Sequence, residues 1–102
     1  MTTTAITRVA EEDMENVFLE ASRAFGIPFR SAFRSRHRQA VRARAAAMVW
    51  ARNQMDLTVE QIGSFFGMDH STVVYHCQQH DHRLKHESQY RASWTHMASH
   101  LQ

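Results

Sequence analysis

The sequence predicts an all-α domain of five to six helices, and three observations carry that expectation. Apolar residues recur at three- and four-residue spacing in the long segments, and nowhere do they alternate over the length of a strand. The three glycines and the single proline are sparse and fall where a helical domain would need breaks. Ala40, Ala43, Ala45, Ala46, Ala47 and Ala51 crowd one segment, which favours helix and lets neighbouring helices approach closely.

Each element has its own justification. Val9, Met14, Val17, Phe18, Ala21 and Phe25 form an apolar stripe that predicts a first helix over about 10–25. Gly26 suits the position after its end, and Pro28 stops it. Phe29 and Phe33 are expected to anchor an arginine-rich connection to the core. The alanine-rich segment, with Val41, Met48, Val49, Trp50 and Met55, predicts a long helix over about 38–54. Thr58 followed three residues later by Gln61 is a capping-box pattern, and Val59, Ile62, Phe65 and Phe66 face inward from a short helix that Gly67 ends. Asp69 or Ser71 caps the next helix, from which Val73, Val74 and Cys77 pack back. Leu84, Tyr90, Trp94, Met97 and Leu101 share a broad face of a last helix over about 84–100. At 102 residues the chain is expected to hold a flexible tail (1–9) and a single domain (10–102).

Composition excludes several classes. Hydrophobic residues make up 43% of the chain, and apolar runs are only a few residues long, too short for a membrane span. The first residues lack a basic stretch followed by an apolar block, so no signal peptide is expected. A lone cysteine, Cys77, cannot form an internal disulfide, and the cytoplasm is the expected compartment. The formal net charge of +2 hides a strong polarity. No acid occurs between Glu20 and Asp56, and that interval holds Arg23, Arg30, Arg34, Arg36, Arg38, Arg42, Arg44 and Arg52. Glu11, Glu12, Asp13, Glu15 and Glu20 precede it. A solvated helix face is the ordinary fate of such charge. Eight arginines without a lysine or an acid among them point instead to a polyanion, because the guanidinium fork matches phosphate geometry.

The segment Ile62–His76 reads as two short helices around a glycine-centred turn, with Asp69, His70, Ser71 and Thr72 opening the second. That is the layout of a helix-turn-helix over about 58–80, in which the first residues of the second helix meet base edges. Two stretches make the reading more specific. One is Ile62-Gly63, Phe66-Gly67 and Asp69-His70-Ser71-Thr72-Val73; the other is Arg36-His37-Arg38-Gln39-Ala40-Val41-Arg42-Ala43-Arg44, leading into the alanine-rich helix as far as Arg52. Together, and at this separation, they resemble the C-terminal DNA-binding domain of the bacterial replication initiator DnaA, over roughly residues 10–84. The family's reading segment is Asp-His-Thr-Thr-Val, so Ser71 is a mild change.

The resemblance implies a Trp-repressor-like helix-turn-helix fold and sequence-specific binding of double-stranded DNA at sites related to the DnaA box. It implies that Arg44 enters the minor groove, where an A·T-rich tract concentrates negative potential. It implies base contacts from Asp69, His70, Ser71 and Thr72 in the major groove. An aspartate can accept from a cytosine amino group, a histidine can donate to a purine N7, and a threonine methyl suits a thymine methyl. Arg36, Arg38, Arg42 and Arg52 are expected phosphate clamps. The sequence departs from the family in two ways. Gly67-Met68 stands where the family usually has two glycines and an arginine, so a contact is expected to be lost and the approach angle of the second helix changed. No Gly-x-x-x-x-Gly-Lys-Ser/Thr loop occurs, so no ATPase chemistry is expected, and a stand-alone transcription or replication regulator of phage or plasmid type is the implied role.

Other readings remain open. Asp69 also reads as a helix cap, a role compatible with base contact, and Tyr75, Gln78 and Gln79 read as solvent-facing. His76 and His80, like His82 and His86, stand four apart, the spacing with which a helix can hold a metal. The sequence between the pairs, Asp81–Arg83, is expected to interrupt the helix, and no second cysteine is present, so no metal, no cofactor and no enzymatic activity are expected. Protonation of several histidines below pH ~6.5 should add positive charge and favour DNA. The alternative is a protein-interaction module. The acidic first helix and the last helix, with Tyr90, Trp94 and Met97, would then be its contact surface; the last helix reads also as closing the core or as serving a homodimer.

Overall fold

The structure, a computed structural model, describes residues 8–102. Its elements are α1 (Arg8–Phe25), α2 (Phe29–Ala32), α3 (Arg38–Gln54), α4 (Val59–Phe66), α5 (His70–His86) and α6 (Ser88–Leu101). Among the described residues there is no strand. Of the expected tail, residues 1–7 lie outside the described residues, while Arg8 and Val9 already belong to α1.

α3 is the axis of the domain. Every residue from Ala43 to Ala51 is buried, so this helix is enclosed on all sides rather than along one stripe. α1 and α5 are its main neighbours, with α2 and α4 touching it at the ends. Alanine makes this geometry attainable, because a methyl group lets two helix axes draw together where a leucine would hold them apart. The core is completed by large side chains brought to the alanines. Met14 and Phe18 of α1, Met48, Ile62, Val73, Tyr90 and Met97 are each at most 2% exposed. Burying each such side chain contributes about 1.5–3 kcal/mol.

Phe18 sits at the centre of an aromatic group that fixes the short elements. Its ring lies 5.5 Å from Phe29, 4.6 Å from Phe33 and 5.0 Å from Phe66, the last two edge to face. Phe29 and Phe33 thus do anchor the arginine-rich connection. The segment they anchor begins with the single-turn helix α2, which the sequence had shown only as a connection.

Two helix ends use the same device. After α1, Gly26 takes φ 71°, and Ile27 N–H donates to the Ser22 carbonyl at 2.9 Å. After α4, Gly67 takes φ 65°, Met68 N–H donates to the Gly63 carbonyl at 2.9 Å and Gly67 N–H to that of Ser64 at 3.3 Å. Both are Schellman closures, in which a left-handed residue turns the chain back onto the helix it has just left. α4 opens on the capping box expected from the sequence: Thr58 Oγ1 accepts from Gln61 N–H, and Gln61 Oε1 accepts from Thr58 N–H.

The third glycine does a different job from the break expected of it. Gly63 lies inside α4 and is buried. A Cβ placed there would stand 2.6 Å from the Met68 carbonyl oxygen, closer than real Cβ atoms come. The missing side chain is what lets the turn fold down onto α4. Gly63→Ala should therefore cost about 1–3 kcal/mol, the usual range for overpacking, read as a lower urea midpoint at unchanged m-value. A midpoint equal to that of the wild type would show that the turn does not depend on this close approach.

The last helix also differs from expectation. α5 does not break at Asp81–Arg83; it runs to His86, and the chain bends at Glu87, with α6 starting at Ser88. α6 packs against α1 and α5. Tyr90 and Met97 are buried, and Trp94 packs on Trp50 with ring centres 6.1 Å apart. This aromatic face closes the domain's own core. Among the described residues the exposed large hydrophobics are Val9 and Tyr75.

Candidate nucleic-acid interface

The turn and the first residues of α5 form a polar tip. Asp69 takes extended backbone angles and caps the helix, its carboxylate accepting from Ser71 N–H at 2.8 Å. That hydrogen bond is the main reason its carboxyl is held below the ordinary range. The Asp69 carboxylate also lies 3.5 Å from the His70 ring nitrogen. Asp69, His70 and Ser71 are exposed and Thr72 is half-buried. The structure thus brings the four expected reading residues to one end of one helix and leaves them facing outward. Met68, in the turn before the tip, is half-buried against the core.

The tip is held from behind. One turn on, Val73 is fully buried, and further along α5 the buried residues are His76, His80 and Arg83. The Arg83 guanidinium donates to His76 Nδ1 at 3.0 Å and lies 5.9 Å from the centre of the Tyr75 ring. His80 Nδ1 and the Tyr90 hydroxyl share a hydrogen bond of 2.8 Å, and the His80 ring packs edge-on to Trp94 at 4.3 Å. The first i, i+4 pair of histidines therefore points into the protein and is satisfied there. Among the described residues no group of three or more metal-type ligands gathers.

The expected arginines have separate places. Arg44 is only 7% exposed. Its guanidinium donates to the Ala32 carbonyl at 2.6 Å and to the Ser35 carbonyl at 2.8 Å, so it turns inward and fastens the end of α2 to α3. Burial pushes its pKa down from the ordinary arginine value. Arg42 is half-buried and grips Glu87 through two bonds, Nε to Oε1 at 2.8 Å and Nη2 to Oε2 at 2.9 Å. This fork ties α3 to the α5–α6 bend, and it holds the Glu87 carboxyl below its ordinary range. Arg38 is exposed at the start of α3, 3.3 Å from the same carboxylate. Arg52 is exposed and donates to the Leu57 carbonyl at 3.1 Å. Arg36 is exposed in the connection between α2 and α3, one residue past the carbonyl that Arg44 grips. Sequence patterning could not separate these six-carbon neighbours in role, because Glu87, the partner that occupies Arg42, is 45 residues away.

The family profile described as Bacterial dnaA protein helix-turn-helix matches residues 14–79. The chain belongs to this family. Comparison with curated proteins and with solved structures gave no match. The DnaA match runs from within α1, through α2 to α4, into α5 as far as residue 79, so it contains both the polar tip and the arginine-rich connection. The family is a DNA-binding helix-turn-helix, and this chain carries its all-helical fold.

Two predictions arise from this geometry. Arg44 satisfies two carbonyls with a buried charge, and hydrogen bonds to charged groups contribute about 1.5–3 kcal/mol each. Arg44→Ala should lower the unfolding free energy by about 3 kcal/mol and strip hydrogen-exchange protection from the α2–α3 connection. Retention of both would mean that other contacts hold the loop.

The second concerns acid. Burial and the neighbouring guanidinium of Arg83 depress His76 from 6.5 to about 4, and burial lowers His80 as well. Both are inward-facing bases that stay neutral in the fold and protonate more readily once unfolded. They are therefore not among the histidines that would add positive charge just below neutrality. The unfolded chain binds more protons between pH 6.5 and 4, so stability falls as pH drops through that window. For His76 the loss should reach about 2 kcal/mol between pH 7 and 5. Urea unfolding across that range should show it, and His76→Gln should flatten the slope; an equal slope in the variant would refute the assignment.

Proposed function

We propose that this chain is a sequence-specific double-stranded DNA-binding protein that recognises sites related to the DnaA box and regulates replication or transcription in the cytoplasm. One observation carries the reading: the polar tip, Asp69 to Thr72, is presented outward by a helix whose other end is locked into the core. A rigid helix end bearing small polar side chains fits a major groove, which is wide enough to admit it. Asp69 serves two ends at once in this reading. One carboxylate oxygen orders the tip by accepting from Ser71 N–H, and a carboxylate has capacity for further donors such as a cytosine amino group.

The arginines divide by what already holds them. Arg44 acts as a positioning residue, since both of its carbonyl partners are in the protein. The segment it fastens carries two exposed guanidiniums, those of Arg34, which borders the Phe33–Phe65 groove, and Arg36. We assign to Arg36 the approach to the duplex beside the major-groove tip, in a minor groove or on the phosphates. Arg38 and Arg52 serve as backbone contacts, while Arg42 contributes through the fork to Glu87.

Fluorescence anisotropy with a DnaA-box duplex and its scrambled counterpart at physiological salt tests the proposal. The box should bind more tightly. His70→Ala and Thr72→Ala should each reduce the difference between the two duplexes by about 1–3 kcal/mol, with less effect on the scrambled one. Arg38→Ala should weaken both alike and make the salt dependence shallower. Equal affinity of wild-type protein for both duplexes would defeat the reading.

A further inference from the structure

We propose that copies of this protein associate head to tail, the acidic N-terminal half of α1 of one copy docking into an arginine-flanked aromatic groove of the next. The groove is open, with a volume of about 480 Å³, and is lined by Arg30, Phe33, Arg34, Ser64, Phe65 and Gly67 among others. Its floor is aromatic: Phe33 and Phe65 are half-buried, with ring centres 5.8 Å apart. Its rim is cationic. Arg30 and Arg34 are exposed, and among the described residues neither has a carboxylate within ion-pair distance.

The complementary surface lies on α1. Val9 is 69% exposed, with Glu12 and Asp13 at the following i+3 and i+4 positions on the outer face of the helix. The buried residues Met14, Val17, Phe18 and Ala21 occupy the opposite face. Glu12 has a loose partner in Arg8 at 3.8 Å, with both side chains largely exposed; Asp13 has none among the described residues. An apolar knob flanked by carboxylates therefore stands on one surface. A phenyl floor flanked by guanidiniums stands on the other.

The two surfaces cannot meet within one molecule. The groove's Phe33 and Phe66 pack on Phe18, and nine residues at about 100° each put Phe18 on the side of α1 opposite Val9. Each copy thus offers a donor on one side and an acceptor on the other, and such a heterologous contact adds copies in a row instead of closing a dimer. A phosphate backbone would satisfy the rim arginines but would leave the phenyl floor without a partner, which is why an acidic helix with an apolar side chain is the better occupant. The groove reaches Gly67, so a docked neighbour would sit beside the polar tip. The inference rests on surface complementarity and is independent of which duplex sequence the tip reads.

Sedimentation velocity of the whole chain without DNA tests it. The wild type should self-associate reversibly at low salt and be monomeric in molar salt, where charges are screened beyond about 3 Å. Arg30→Glu with Arg34→Glu, and separately Glu12→Arg with Asp13→Arg, should each weaken self-association at least tenfold. Mixing the two variants should restore association, because each reversed surface then meets its new complement while the unreversed pair remains intact. A wild type that is monomeric at every concentration at low salt would overturn the proposal, as would variants that still self-associate or a mixture that stays monomeric. If the arginine reversals abolish duplex binding while the free protein is always monomeric, the groove belongs to the DNA interface. Loss of specific DNA binding with association intact would instead strike the functional proposal alone.

Discussion

The close approach of the Met68 carbonyl to Gly63 is the constraint on which the rest of the structure depends. It lets the turn after α4 lie flat on that helix, and the flat turn sets the angle at which α5 departs. Everything α5 then does follows from that angle. Val73 reaches the core, His76 and Arg83 reach each other, and His80 reaches Tyr90 on α6. Had the chain needed a side chain at 63, α5 would stand further off, and the buried polar pairs along it would lose partners they cannot do without inside a low-dielectric core.

Those pairs explain how so small a domain tolerates so many charges. Arg42, Arg44 and Arg83 each have protein partners: a carboxylate, two carbonyls, and an imidazole held neutral. No buried side-chain nitrogen or oxygen among the described residues lacks a hydrogen bond. The electrostatic cost of three inward guanidiniums is thereby met locally, and of the arginines that remain exposed, Arg30, Arg34, Arg36 and Arg38 gather around the α2–α3 connection. The polarity visible in the composition survives folding, but it is carried by fewer residues than the sequence suggests.

Local signals in the sequence were read well. The capping box at Thr58, the stop at Gly26, the turn at Gly67 and the limits of α3 all depend on residues within a turn of one another, and all appear as expected. What could not be read depends on distant partners. Arg42 looked like a phosphate clamp until Glu87 came within reach, and Arg44 looked free until the chain brought two carbonyls to it. Asp81–Arg83 looked like a break because its residues are polar; Arg83 is in fact among the most buried, with His76 to receive it. The last helix left core closure and docking both open, because the neighbours of its aromatics are distant in sequence, and α1 and α5 supply them.

The exposed tip of α5 projects from a helix whose buried face begins at Val73, and this bears on how the surface can change over generations. The tip is the exposed end of a helix that is held in the core from Val73 onward, through His76, His80 and Arg83. A small adjustment at those buried residues moves the tip as a whole, without altering any side chain that the tip displays. Preference for a target can thus drift through the protein's interior while the reading residues themselves stay the same.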